Sequence, residues 1–168
     1  ALITLGALTL AALVWTSIRG LNCAPDLAYL PGQCNSIAGL ATPVFVAFGI
    51  WGVGLTIWCS EKRLAATGFF WVIAAGLASG AVSGAGDLSA GRLFYLTLAW
   101  LSPLSLNFHQ TLLRQPRLKP ARTGLRISIG LAVLWSLPLL AQTVAELQAS
   151  GAFAWLRLGI RLTLVVAL

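Results

Sequence analysis

The chain has 168 residues, of which 58% are hydrophobic and 9% are charged, and its mean hydropathy is +0.89. A soluble domain usually carries about a quarter charged residues, so this composition excludes water as the main solvent of the folded chain. The net charge is +7, but the cations cluster at the ends of apolar stretches. That pattern is typical of contact with anionic lipid headgroups and argues against a nucleic-acid partner.

Apolar stretches long enough to cross a bilayer recur along the whole chain. They predict an all-α, polytopic transmembrane helix bundle that forms a single membrane domain over residues 1–168 and has the lipid bilayer as its first partner. The six predicted helices cover about 1–18, 37–59, 64–83, 90–113, 127–144 and 152–168. The chain lacks Met and begins and ends within apolar sequence, so we expect a fragment of a longer protein.

A basic stretch between the fourth and fifth predicted helices sets the expected topology. Residues 114–126 contain five cations, no acid and two prolines, which is typical of a polar loop. By the positive-inside rule this loop lies on the cytoplasmic side, and the N-terminus of the chain is then also inside. The inner loops carry seven cations and one acid, whereas the outer side carries four cations and three acids. The expected location is the bacterial inner membrane.

Two of the three cysteines, Cys23 and Cys34, lie in the longest outer loop. An oxidising compartment on that side favours a disulfide between them, which would stabilise the fold by roughly 2–3 kcal/mol. The loop has no His, so a metal site is not expected there. Cys59 lies at the inner membrane edge and is expected to be a free thiol in packing, with lipidation as the alternative.

The third predicted helix carries Gly76, Gly80 and Gly84 at four-residue spacing. This spacing puts the three glycines in one stripe, where a second helix can approach closely. The pattern predicts a helix-packing face. Its partner is either another helix of the same chain or the same helix of a second copy in a homodimer.

Two polar residues of the fourth helix, Asn107 and His109, are candidates for ligand binding or sensing. Asn107 shares a face with Pro103 and Gln110, whereas His109 points about 200° away from Asn107 by the helical period. His109 is the only His in the chain, which favours an interfacial hydrogen bond to a neighbouring helix or to water over a metal or haem site. Proton sensing stays open as a role. No cofactor and no metal are expected.

Arg157 and Arg161 lie four residues apart on one face of the sixth helix. If that helix crossed the bilayer from Ala152, Arg161 would lie about 13 Å deep, where an unpaired cation is costly. We expect both arginines to extend to the outer interface instead. The alternative is a site for a small anionic ligand at the outer face, with Glu146 or Asp87 as partners within the chain.

The sequence offers no arrangement typical of catalysis. It has one His and four acids, most of them in loops, and no candidate pair of a nucleophile and a base. The chain is therefore not expected to be an enzyme.

Residues 92–113, with Pro103 and the pair Phe108 and His109, together with residues 134–138, resemble a known family. They are similar to the polytopic N-terminal membrane region of ComP-like bacterial sensor histidine kinases. The resemblance implies a ligand-sensing input module in a two-component system of signal transduction. It also implies a cytoplasmic kinase beyond Leu168.

Three functions therefore stay open. The first is the membrane-embedded sensor or input domain of a bacterial signal-transduction protein, with a histidine kinase as the expected output. The second is a non-catalytic structural subunit of a larger membrane complex, suggested by the many small residues and few charges. The third is a small transporter or channel, suggested by the prolines at 43, 103 and 138, although no internal repeat pairs these breaks.

Overall fold

The computed structural model describes residues 2–21, 37–61, 64–84, 88–112, 119–142, 147 and 149–167. All six elements in this part of the chain are α-helices, which confirms the predicted all-α class and helix number. They are α1 (Leu2–Leu21), α2 (Ile37–Glu61), α3 (Leu64–Gly84), α4 (Leu88–Leu112), α5 (Lys119–Ala141) and α6 (Ala152–Ala167).

Three of these helices contain segments long and apolar enough to cross a membrane: Ala41–Ser60, Leu64–Ser83 and Thr123–Ala141. A fourth apolar segment, Ile3–Arg19 in α1, is shorter. The described residues thus include three or four long apolar helices that could span a bilayer, as in a multi-pass membrane protein.

The start of α5 differs most from the prediction. We expected residues 114–126 to form a polar loop and the helix to begin at 127, but α5 begins at Lys119 and ends at Ala141, not at 144. Pro120 is the second helical residue, and proline is tolerated in a first turn because its missing N–H would have no helical partner there. Lys, Arg and Ala are good helix formers, so the second half of the basic stretch forms the first turns of α5.

The other helix ends shift by a few residues. α1 runs on to Leu21 and α2 to Glu61, beyond the predicted ends at 18 and 59, whereas α4 occupies Leu88–Leu112, not 90–113. Pro43, Pro103 and Pro138 each lie inside a helix that continues past them.

The chain divides into two compact units, Ala1–Phe94 and Tyr95–Leu168, and the boundary falls within α4. We call them unit 1 and unit 2. The organisation as one membrane domain stays a prediction.

The centre of unit 1 is α3, which packs against both α1 and α2. Of its apolar span, 56% is buried, compared with 11% of the span on α2. Small side chains make this possible: Ala74 and Ala78 of α3 pack with Leu13 of α1 and Ala47 of α2. Between apolar helices in lipid, such close approach supplies the van der Waals contact that drives association.

A cluster of three tryptophans joins α2 to α3. Trp71 of α3 is only 2% exposed. Its ring stacks on Trp51 at a centroid distance of 5.5 Å and meets the edge of Trp58 at 6.2 Å. The Trp71 indole N–H donates a hydrogen bond to the Trp51 carbonyl at 3.2 Å, so the polar atom of this buried ring is satisfied.

Two glycines make room for the Trp71 ring. A Cβ at Gly6 of α1 would lie 2.7 Å from the ring, and a Cβ at Gly54 of α2 would lie 2.8 Å from it. The indole N–H of Trp51 donates a hydrogen bond to the Thr9 hydroxyl at 3.1 Å, which links α2 to α1. Trp71 therefore contacts both neighbouring helices through positions that only glycine can occupy without a shift.

Unit 2 has its own apolar core. The side chain of Tyr95 meets the edge of Phe153 at a centroid distance of 5.0 Å. The ring of Trp135 on α5 lies directly against Gly159 on α6, where a Cβ would overlap it. The buried residues of this core are Ala99, Leu139, Leu147, Phe153, Leu156 and Ile160.

Candidate functional site

Unit 2 contains a partly open pocket of about 380 Å³ between α4, α5 and α6. This volume is within the range of roughly 300–1,000 Å³ that is usual for small-molecule sites. Eight residues of the three helices line it: Ser102, Leu106, Gly124, Ile127, Ser128, Leu131, Leu162 and Thr163.

The buried hydroxyl of Ser102 holds the three helices together at this pocket. Its Oγ lies 3.1 Å from the Oγ of Ser128 on α5 and 3.1 Å from the carbonyl oxygen of Thr163 on α6. A carbonyl oxygen only accepts, so the Ser102 proton goes to Thr163. The Ser128 hydroxyl must then be the donor to Ser102.

Each hydroxyl proton at the pocket wall is therefore donated to an acceptor within the protein. The third hydroxyl, that of Thr163, donates to the Ile160 carbonyl at 2.8 Å. The other lining side chains are those of leucine and isoleucine, with Gly124 adding none. A ligand that needs strong hydrogen bonds would find few groups here, whereas an apolar one would fill the space without leaving a polar group unsatisfied.

A second hydroxyl, that of Ser136 on α5, also links α4 to α5. It accepts a hydrogen bond from the Trp100 indole N–H at 3.2 Å and donates to the Ala132 carbonyl at 2.7 Å. The α4–α5 pair is thus tied by side-chain hydrogen bonds at two levels.

The predicted sensing residues on α4 lie elsewhere. His109 is exposed, and its Nδ1 is 2.8 Å from the Ser105 carbonyl oxygen of the same helix. Because a carbonyl only accepts, Nδ1 carries a proton and donates it to this oxygen. We expected His109 to bond to a neighbouring helix or to water, whereas its Nδ1 bonds to Ser105 of the same helix, α4. Asn107 is half-buried on α4, and neither residue lines the pocket.

Arg157 and Arg161 are both exposed on α6 and do not line the pocket either. The Arg157 guanidinium lies 5.8 Å from the ring centroid of Phe153, at cation–π distance. The partners considered for an outer anion site, Glu146 and Asp87, lie outside the described residues.

The structure places the glycine stripe within unit 1. A Cβ at Gly80 would lie 3.0 Å from the ring of Phe94 on α4, so this glycine contacts another helix of the same chain. Gly76 is buried, and its carbonyl accepts a hydrogen bond from Ser79. Gly84 is the last residue of α3. The homodimer alternative stays a prediction.

The predicted disulfide between Cys23 and Cys34 lies outside the described residues. Cys59 is a free thiol, and it is exposed instead of packed. Within the described part of the chain, no group of three or more His, Cys, Asp or Glu side chains could hold a metal ion.

Ser102 was noted as one of the polar residues of the fourth helix, but neither Ser102 nor Ser128 was predicted as a site residue. Isolated hydroxyls in apolar helices usually bond to their own backbone, as Thr16 and Ser79 do here. Only the packing of α4 against α5 and α6 shows that Ser102 bonds across helices. No sequence signal distinguishes it from the others.

No protein-family model matches this chain, and comparison with curated proteins and with solved structures found no significant match.

Proposed function

We propose that this chain is the membrane-embedded sensor or input domain of a bacterial signal-transduction protein, with a cytoplasmic histidine kinase as its output. The observation that carries the proposal is the pocket of unit 2, where Ser102 joins α4, α5 and α6 by hydrogen bonds. A ligand in that pocket contacts all three helices at once. It shifts their packing if it binds one arrangement better than the other.

The proposed orientation has the N-terminus and the basic residues of 114–126 on the cytoplasmic side of the inner membrane. α6 then runs towards the cytoplasm, so the helix that accepts the Ser102 hydrogen bond is also the one that leads to the output domain. In this proposal, the two arrangements of the switch differ in whether the hydrogen bonds of Ser102 to Ser128 and Thr163 are formed or broken.

Replacing Ser102 by alanine tests the proposal. The variant removes the hydroxyl that bonds α6 and leaves Ser128 without its acceptor, at a cost of about 1 kcal/mol. In the parent protein, reconstituted in liposomes, we expect the ligand-free autophosphorylation to change by about fivefold, the factor that corresponds to this free energy. Ser60→Ala is the matched control, because the exposed Ser60 hydroxyl donates to the Thr56 carbonyl of its own helix and its removal should leave the output unchanged.

Two outcomes contradict the proposal. One is a parent gene without a cytoplasmic output domain downstream of Leu168. The other is a Ser102→Ala protein that folds normally and has the same output as Ser60→Ala.

A further inference from the structure

We propose that the pocket of unit 2 holds one acyl chain of an anionic phospholipid, with the headgroup at the basic start of α5. The inference rests on the proposed function and names the class of ligand that acts at its site. Three observations carry it: the level of the pocket along α5, the charge at its end, and the chemistry of its wall.

The pocket lies at the level where acyl chains begin. Its α5 residues run from Gly124 to Leu131, about 10 Å along the helix axis at 1.5 Å per residue. The apolar span of α5 is Thr123–Ala141, so the pocket starts at the first residues of that span. An object that occupies it lies beside the first third to half of a membrane-crossing helix, just below the headgroup layer.

Cations lie on the first turns of α5, at the level of the end of the pocket that faces the headgroup layer. Arg126 is exposed and lies about 200° around the helix from Gly124, so its long side chain extends towards the headgroups and does not line the pocket. Because α5 begins at Lys119, Arg122 also belongs to its first turns. The N-terminus of a helix carries partial positive charge, which adds to the charge of Arg126. A phosphate with a further negative charge is attracted to such a site more strongly than a zwitterionic headgroup.

The wall suits a hydrocarbon chain and lies open to the lipid. The hydroxyl protons of Ser102, Ser128 and Thr163 are donated to protein acceptors, which leaves apolar surface for the occupant. Ile127 and Leu162, on two sides of the pocket, are 58% and 57% exposed. A chain can therefore enter sideways from the bilayer without opening the helix bundle.

Two matched pairs of variants on α5 test the site. Ile127→Trp fills the pocket, whereas Ile129→Trp places the same side chain on α5 outside the lining. Gly124→Leu adds a side chain at the pocket, whereas Gly130→Leu adds it outside. At both glycines a Cβ meets nothing within 4 Å, so neither change should disturb folding. A fifth variant, Arg126→Gln, removes the exposed cation.

The measurement is native mass spectrometry of the purified chain after incubation with dioleoyl phosphatidylglycerol or dioleoyl phosphatidylcholine. We expect the wild type to retain one phosphatidylglycerol in preference to phosphatidylcholine. Ile127→Trp and Gly124→Leu should lose this lipid, whereas Ile129→Trp and Gly130→Leu should keep it. Arg126→Gln should lose the preference for the anionic headgroup. Circular dichroism confirms that each variant keeps its helix content.

The inference is wrong if the two members of either pair retain the lipid equally, or if the wild type binds both lipids alike. This readout needs no kinase. If the wild type binds no lipid but Ser102→Ala changes the output, the lipid proposal is wrong and the sensor proposal stands. If the lipid binds as expected but Ser102→Ala leaves the output unchanged, the sensor proposal is wrong and the lipid site stands.

Discussion

Replacing Trp71 by alanine is expected to lower the free energy of unfolding by about 3–5 kcal/mol, the largest effect of any single substitution considered for unit 1. The Trp71 ring is 2% exposed and stacks on Trp51. It also reaches the backbone of Gly6 and Gly54 on the two neighbouring helices. Between helices in lipid there is little hydrophobic driving force, so the loss comes from van der Waals contacts and from the cavity left behind.

Trp155→Ala is the matched control, because the Trp155 side chain on α6 is 73% exposed and its removal leaves no cavity. The free energies of unfolding of both variants are measured by titrating the micelle-bound protein with SDS and following helix content. Equal destabilisation by the two substitutions would contradict the packing of α3 described above.

Gly159→Leu is expected to destabilise unit 2 by about 1–3 kcal/mol, the usual cost of overpacking a close contact. The Trp135 ring already occupies the space that a Cβ at Gly159 needs, so α5 and α6 must move apart to admit a leucine. The Trp135 indole N–H is buried with no hydrogen-bond partner among the described residues. The ring is thus held by its fit against α6, and separation of the helices would loosen it.

Gly130→Leu serves as the control for this effect on α5. A Cβ at Gly130 meets no atom within 4 Å, so this change should be neutral, or stabilise the helix by up to about 1 kcal/mol through its higher propensity. Unfolding in SDS and near-ultraviolet circular dichroism of the tryptophans separate the two variants. A Gly159→Leu protein as stable as Gly130→Leu would mean that α5 and α6 do not approach this closely.

The sequence predicted the number and approximate bounds of the helices well, because these depend on the length of each apolar stretch and on the polar, glycine and proline residues that end it. It misplaced the start of α5 because Pro120 and the surrounding cations are also typical of a loop, and only the position of Pro120 in the first turn makes it compatible with a helix. The hydrophobic pattern of α3 does not indicate which of its faces is buried, since the helix is apolar or small on every side, and only the spacing of its glycines predicted a packing face.

The closest helix contacts were harder to predict than the helices. The stripe of Gly76, Gly80 and Gly84 drew attention through its regular spacing, and Gly80 does face Phe94. The closest approaches occur at Gly6 and Gly159, which belong to no such repeat. At each of these two glycines the close contact is with a tryptophan on another helix, Trp71 at Gly6 and Trp135 at Gly159. Which tryptophan meets which glycine depends on the tertiary structure.

The candidate site shows the same limit. Asn107, His109, Arg157 and Arg161 attracted attention because polar residues in apolar helices are unusual, yet none of them lines the pocket. A pocket wall made of leucine, isoleucine and serines that are already hydrogen-bonded has the composition of any packed helix interface. Only the arrangement of the helices in the structure distinguishes a pocket wall from a packed interface of this composition.

The central claim is that lipid, not water, surrounds the apolar helices. Spin labels at Val53→Cys in α2 and Val133→Cys in α5, each introduced with the native cysteines replaced, test it in reconstituted vesicles. Both valines are exposed and lie well inside the apolar spans Ala41–Ser60 and Thr123–Ala141. A label at the native Cys59, next to the end of the first span, is the reference.

Electron paramagnetic resonance then compares collisions with oxygen, which dissolves in lipid, and with a water-soluble nickel chelate. The account predicts that oxygen dominates at positions 53 and 133, with a clear shift towards the chelate at Cys59. Chelate access at positions 53 and 133 equal to that at Cys59 would show that water reaches these faces and would contradict it.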